Sequence, residues 1–343
     1  MRRINLALQG GGAHGAFTWG VLDRLLEEPG IEIAGITGTS AGALNAAALK
    51  AGLLEGGAEG AKARLAALWQ AVGDLGDLRV LRWMRTLFPL AAAAQEMATD
   101  LAPVSPTALA AQLYTPYAWG PFWQNPLADV VKDFDFSKVC AAQGPDLFIS
   151  ATNVRSGKIR VFSGAEIGPE ALLASACLPT IFQAVELDDP ATGQREAFWD
   201  GGFTGNPALF PLYQPHLPDD IVIVSINPLR REAIPQTPVE IQDRINEISF
   251  NAALLGELRA VNFVKRLIAE GRMPKGAMKA LNIHLIADDA LMNALTAGSK
   301  LGPKPALLDR LRAAGRVACD GFLAQHGDRI GVDSSVDLRG LFG

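Results

Sequence analysis

Two consecutive strand–glycine turn–helix units fill the first fifty residues, and they constrain the fold more than any other feature of the chain. Ile4 to Leu8 reads as a short buried strand that runs straight into Gly10-Gly11-Gly12-Ala13-His14-Gly15. From Ala16 to Glu28 the apolar residues Phe17, Val21, Leu22, Leu25 and Leu26 recur at helical spacing, and Pro29-Gly30 ends that helix. Ile31 to Thr37 gives a second strand. Gly38-Thr39-Ser40-Ala41-Gly42 then turns into an alanine-rich helix, Ala43 to Ala51. Strands alternating with helices in this way indicate a parallel sheet with right-handed crossovers, hence an α/β fold.

The first glycine turn can be read for two different anions. Gly10, Gly12 and Gly15 satisfy GxGxxG between a strand and a helix, the context of a dinucleotide-binding fingerprint. That reading also wants an acidic residue at the end of the second strand, to hold a ribose. This strand ends in Ile36-Thr37-Gly38, and its nearest acid, Glu32, opens it. The other anion is an oxyanion forming on an attacked carbonyl. Backbone N–H groups at a helix N-terminus favour negative charge whatever its source. Gly10, Gly11 and Gly12 are then the candidate oxyanion donors, and nucleotide binding stays as the alternative from another class.

Gly38-x-Ser40-x-Gly42 matches a nucleophile elbow, in which a tight strand-to-helix turn exposes a serine hydroxyl. The pattern alone arises by chance; its placement after a strand and downstream of a glycine turn makes it specific. Serine needs a base. Three histidines, His216, His284 and His326, follow Asp200, and none lies in a glycine-rich loop. His216 reads as part of a surface turn, His284 as a core residue of a short strand, and His326 as a helix-end residue. Asp200 heads Asp200-Gly201-Gly202 after the apolar Ala197-Phe198-Trp199, and partial burial there raises a carboxylate's affinity for a proton.

Elsewhere the pattern is coarser. Residues 70–135 carry little strand signal but many Pro, Ala and aromatic residues, among them Trp83, Phe88, Tyr114, Tyr117, Trp119, Phe122 and Trp123. They read as a helical insertion, either packing its own small core or acting as a lid. Leu147 to Thr152 and Lys158 to Phe162 form a strand pair, Ala171 to Cys177 a helix and Ile221 to Ile226 a strand. After Pro238 a long helix follows from Ile241, Ile245, Ile248, Ala252, Leu255, Leu258 and Val261, with Gly256 as a candidate kink. Ile283 to Ile286 and Pro305 to Gln325 add a strand and an amphipathic helix. Domains are expected at 1–235, catalytic, and 236–343, a mostly helical extension packed on the core.

Composition excludes several classes. The net charge of −5 comes with no long basic block, which argues against nucleic acid as a partner. Cys140, Cys177 and Cys319 are far apart and lack a CxxC, so neither a metal site nor a disulfide framework is expected. No apolar run approaches the ~20 residues of a membrane-spanning helix. A cytoplasmic protein is expected, with peripheral membrane contact left open.

Together, the Gly10-Gly11-Gly12…Gly15 turn, Gly38-Thr39-Ser40-Ala41-Gly42 and Asp200-Gly201-Gly202 resemble the patatin-like phospholipase family. Ala174-Ser175-Ala176-Cys177-Leu178-Pro179-Thr180-Ile181-Phe182 looks like the family's segment before its catalytic aspartate, and the similarity covers about residues 4–230. The resemblance implies a three-layer α/β/α fold and a calcium-independent acyl hydrolase, without cofactor or metal, acting on ester-containing lipids. It implies Ser40 as nucleophile, Asp200 as base and the Gly10–Gly12 amides as oxyanion donors. His14 departs from the family, which often has arginine there. An acyltransferase would use the same acyl-enzyme. The tail from about 235 resembles the extension of some bacterial members, where bracing the core and homo-oligomerisation are the two readings.

Overall fold

The computed structural model describes residues 1–78, 116–117, 125–274, 276–295 and 298–342. Of the aromatic residues expected in an insertion, Trp83, Phe88, Tyr114, Trp119, Phe122 and Trp123 fall outside the described residues; Tyr117 is exposed.

The described chain runs β1 (Arg2–Leu8), α1 (Gly15–Leu25), β2 (Ile31–Thr39), α2 (Ala41–Leu78), α3 (Leu127–Lys132), α4 (Phe136–Val139), β3 (Asp146–Asn153) and β4 (Ile159–Ser163). It continues through α5 (Pro169–Ser175), β5 (Val185–Asp189), β6 (Gln194–Asp200), β7 (Asp220–Val224), α6 (Pro238–Ala269) and β8 (Asn282–Ile286). Helices α7 (Asp289–Ala294), α8 (Gly298–Leu301), α9 (Pro305–His326) and α10 (Leu338–Phe342) complete it.

All eight strands join one sheet in the order β5-β6-β3-β2-β1-β7-β8, with β4 paired to β3 beside that path. The five strands from β3 to β8 along this order are mutually parallel. The β3–β4, β3–β6 and β5–β6 pairs are antiparallel and form one flank. The sheet is therefore mostly parallel, as the strand–turn–helix units predict.

Strand alternation assigns the two faces. Ile4, Leu6 and Leu8 of β1 and Val222 and Val224 of β7 pack into one cluster with α1, α2 and α9. Ala7, Ile221 and Ile223 point the other way, onto Leu254, Leu258 and Val261 of α6. Central strands covered on both faces read as near-continuous apolar runs, which is how β1 and β7 appear in the sequence. The result is a helix–sheet–helix sandwich. The C-terminal segment contributes to all three layers: β8 extends the sheet beside β7, α9 packs along α1, and α6 covers the opposite face.

Three details differ from expectation. Helix α2 extends from Ala41 to Leu78 and breaks at Gly56-Gly57, whereas α6 runs continuously through Gly256. The buried face of α6 carries Glu247, Asn251, Leu254, Leu258 and Val261, while Ile241, Ile245 and Ile248 are exposed. Strand β5, Val-Glu-Leu-Asp-Asp, was not expected at all; it is a partly exposed edge strand, where acidic residues are tolerated. Among the described residues no helix is long and apolar enough to cross a membrane.

Candidate active site

Sheet register brings the candidate residues to one edge. Thr39, the last residue of β2, pairs with Ser150 of β3, and the next residue of β3, Ala151, pairs with Asp200 at the end of β6. On the other side of β2, Leu8 pairs with Gly38. Ser40, Asp200 and the Gly10–Gly12 turn therefore lie near one level of the sheet, across the four adjacent strands β6, β3, β2 and β1. Gly10 backs directly onto the serine: a Cβ there would lie 2.6 Å from Ser40 Cβ.

The elbow is strained. Ser40 has φ 55°, the only positive φ of a non-glycine residue among the described residues, a conformation costing on the order of 1–3 kcal/mol. Gly38 and Gly42 flank it, and its carbonyl accepts the N–H groups of Ala43 and Leu44 to start α2. Its own N–H donates to Ser175 Oγ at 2.9 Å, from a fully buried side chain at the end of α5. This ties the elbow to the segment that leads to Asp200.

Four buried amide side chains hold the glycine turn. Gln9 Oε1 accepts from the N–H groups of Ile226 and Asn227, and Gln9 Nε2 donates to Asn206 O and Asn251 Oδ1. Asn227 Nδ2 donates to Gly10 O at 2.8 Å. Gly10 N–H donates to Asn206 Oδ1 at 2.6 Å. This alters the expected trio of oxyanion donors: Gly10 N–H is already engaged, whereas Gly11 and Gly12 N–H have no acceptor among the described residues. Gly12 has φ 58°, in the left-handed region that favours glycine. Gly15 opens α1, where Asn45 Nδ2 from α2 donates to its carbonyl.

Asp200 is 1% exposed. Its Oδ1 accepts Gly202 N–H at 2.8 Å within the short turn formed by Gly201, Gly202 and Phe203. Its Oδ2 is buried without a hydrogen-bond partner. Burial raises the carboxyl pKa to about 7, opposed by the Gly202 N–H and by the nearby Ser40 hydroxyl. Ser40 is thus close enough to act on the carboxylate, although no hydrogen bond closes between the two side chains. The backbone is fixed on both sides: Asp200 N–H donates to Cys177 O, and Thr152 Oγ1 donates to Asp200 O, each at 2.8 Å.

The histidines stand apart. His216 is exposed and bonded to Asp146. His284 is fully buried between Asp220 and Ser335, against the Phe322 ring. His326 lies at the end of α9, its ring against Phe322. His14, in the turn itself, is buried, and its pKa is lowered to about 3 by burial and by Lys300, so it is neutral at pH 7. Among the described residues no group of three His, Cys, Asp or Glu side chains is placed to hold a metal ion.

Ser175, Gln9, Asn206, Asn227, Asn251 and Lys300 escaped the reading of the sequence as site residues. Of these only Ser175 left a local trace, inside the Ala174–Phe182 segment that carries part of the family resemblance; the others are recognisable only once distant segments meet.

A search among curated proteins found no match. Among solved structures, VipD from Legionella pneumophila is similar, with 14% sequence identity and a TM-score of 0.42, covering 95% of this chain and 67% of that chain. Residues 6–213, which contain the elbow, the glycine turn and the Asp-Gly-Gly motif, match the family model of patatin-like phospholipase. The chain belongs to the patatin-like phospholipase family, whose members act on lipids.

Proposed function

We propose that this protein is a serine acyl hydrolase that cleaves carboxylic esters of lipids through a Ser40–Asp200 dyad. The observation that carries this reading is Asp200 Oδ2, a buried carboxylate oxygen with no partner beside a strained serine. Ser40 Oγ attacks the acyl carbonyl while its proton passes to Asp200. The tetrahedral oxyanion is held by Gly11 and Gly12 N–H, at the positive end of α1. Collapse breaks the ester C–O bond, and the leaving alkoxide takes the proton back from Asp200. Water, deprotonated by Asp200, then attacks the acyl-Ser40 ester, and a second collapse releases the carboxylic acid and returns the proton to Ser40. The raised pKa of Asp200 suits this role, because a carboxylate of ordinary acidity is too weak a base for a serine hydroxyl.

A fluorophosphonate probe is expected to label the wild type and not Ser40→Ala, with ester turnover falling on the order of 10⁶-fold in that variant. Undiminished labelling of Ser40→Ala would refute the assignment of the nucleophile.

A further inference from the structure

The glycine turn is connected to a cation from the far end of the chain. Lys300, in the short helix α8, donates from Nζ to Asn227 Oδ1 at 2.9 Å. Because an ammonium only donates, this contact fixes which end of the Asn227 amide is oxygen, and its Nδ2 then donates to Gly10 O. Gly10 O belongs to the same peptide group as Gly11 N–H, one of the two turn amides without an acceptor. Lys300 Nζ, Asn227, Gly10 C=O and Gly11 N–H therefore form one line of hydrogen-bonding groups ending where the oxyanion would sit. In such a line each donor polarises the next.

We propose that Lys300 is a positioning residue that strengthens Gly11 N–H as an oxyanion donor by polarising the Gly10–Gly11 peptide through Asn227. The inference rests on the Ser40–Asp200 reading above. Two further contacts hold α8 against the glycine turn. Ser299 Oγ meets His14 Nε2 at 2.7 Å, and the Lys300 carbonyl oxygen lies so close to Gly12 that a Cβ there would overlap it. The charged and titratable groups around Lys300 are His14, Glu247, Arg231 and Asp243. None of the three carboxylate or imidazole groups among them hydrogen-bonds its Nζ, whose bond is to a neutral amide. His14 carries no charge at neutral pH, so Lys300 is the positive side chain wired to this turn. Burial pulls its ammonium below the usual lysine range, with Glu247 opposing that shift. A residue needed only to fill space here has no reason to be charged.

The test uses the full chain and p-nitrophenyl butyrate, comparing wild type, Ser40→Ala, Lys300→Met, Lys300→Gln and Lys300→Arg. Each protein is also titrated with an alkyl trifluoromethyl ketone, which forms an oxyanion adduct with a reactive serine, and with the matching secondary alcohol, which forms none. Removing an oxyanion donor outright costs about 10²–10³ in rate; weakening one through an intermediary is expected to cost about tenfold in kcat in Lys300→Met and Lys300→Gln. KM and alcohol affinity are expected to stay within twofold, trifluoromethyl ketone affinity to fall in step with kcat, and Lys300→Arg to recover most of the loss. Lys300→Gln keeps a donor for Asn227 and serves if Lys300→Met does not fold. Neutral variants turning over at the wild-type rate, or losing both inhibitors equally, would overturn the proposal while Ser40→Ala stays inactive and the dyad stands. Turnover that survives in Ser40→Ala would remove the dyad, and this proposal with it.

Discussion

Two buried aspartates in one sheet, Asp200 and Asp220, have opposite chemistry. Asp200 ends β6 beside Ser40, at the carboxyl edge of the sheet. Asp220 opens β7 at the other edge: Val224, four residues on, is the one that pairs with Leu8 beside the elbow strand, a displacement of about 13 Å along the strand. Asp220 Oδ1 is met by His284 Nε2, Gly331 N–H and Asn282 Nδ2. Burial works to raise its pKa, but the hydrogen bonds from His284 and Gly331 bring it below the usual carboxylate range. Asp200 has one N–H donor on Oδ1 and nothing on Oδ2, so burial prevails and its pKa rises. Burial is common to both; what separates them is the number of donors among the described residues, three on Asp220 and one on Asp200. A carboxylate met by several donors braces the fold, and one met by few can take up a proton.

The sharpest way to break this contrast is to neutralise each side in turn. Asp200→Asn is expected to lower kcat by about 10²–10⁴-fold, the usual range for a positioned general base. His284→Ala is expected to leave kcat within a few-fold and to cost about 1–3 kcal/mol of stability, because it strips a donor from buried Asp220. Steady-state kinetics and urea unfolding on the same preparations measure both. An inactive but folded His284→Ala would make the histidine pair catalytic, and the contrast would collapse.

The two groups also predict opposite responses to pH. On the proposed dyad Asp200 must be the free base, so kcat/KM should rise with pH around a midpoint of about 7 and then level off. For stability, a carboxyl whose folded pKa is raised binds a proton more tightly in the fold than in the unfolded chain. Its contribution is therefore full below the unfolded value of about 3.9 and is lost as pH climbs towards 7. Asp200→Asn should melt above wild type at pH 8, with the gap closing on acidification. Asp220 has the reverse sign: its stabilisation is present above about 3.9 and is lost as pH falls through its lowered folded value. The deficit of Asp220→Asn at pH 7 should shrink in acid. Melting curves for both variants between pH 4 and 8 test this, and parallel slopes would refute it.

This difference was only half legible in the sequence. Ser40 and Asp200 could be found because each sits in a local glycine pattern that follows a strand, and local patterns survive without tertiary information. Asp220 and His284 left no such trace, since their pairing depends on β7 and β8 lying in register across 64 residues. The core of the sheet was readable because β1, β2 and β7 carry near-continuous apolar runs. Strand β5 was not, because an edge strand rich in Asp and Glu looks like a loop. In α6 the helical period was visible, but the larger apolar side chains, Ile241, Ile245 and Ile248, face solvent, while polar Glu247 and Asn251 face inward to serve the glycine turn and its neighbours. Hydrophobicity alone points to the wrong face wherever a site recruits buried polar groups. The same cause hides Lys300, whose partner Asn227 lies 73 residues away.

The smallest effects should come from the hydroxyls that stand behind each pair. Thr152 Oγ1 donates to the backbone carbonyl of Asp200, and Ser335 Oγ meets His284 Nδ1 at 3.2 Å. If the two pairs differ as described, removing these hydroxyls should repeat the contrast on a reduced scale. Thr152→Val keeps the shape of the side chain and removes the hydroxyl's bonds to the Asp200 carbonyl and to Thr204 Oγ1, so kcat should fall a few-fold with stability changed by about 1 kcal/mol. Ser335→Ala should cost a similar amount of stability and leave kcat unchanged. A drop in kcat confined to Thr152→Val would show that the open carboxylate depends on being aimed. Equal and purely structural effects of both would mean that the strand holds Asp200 in place unaided.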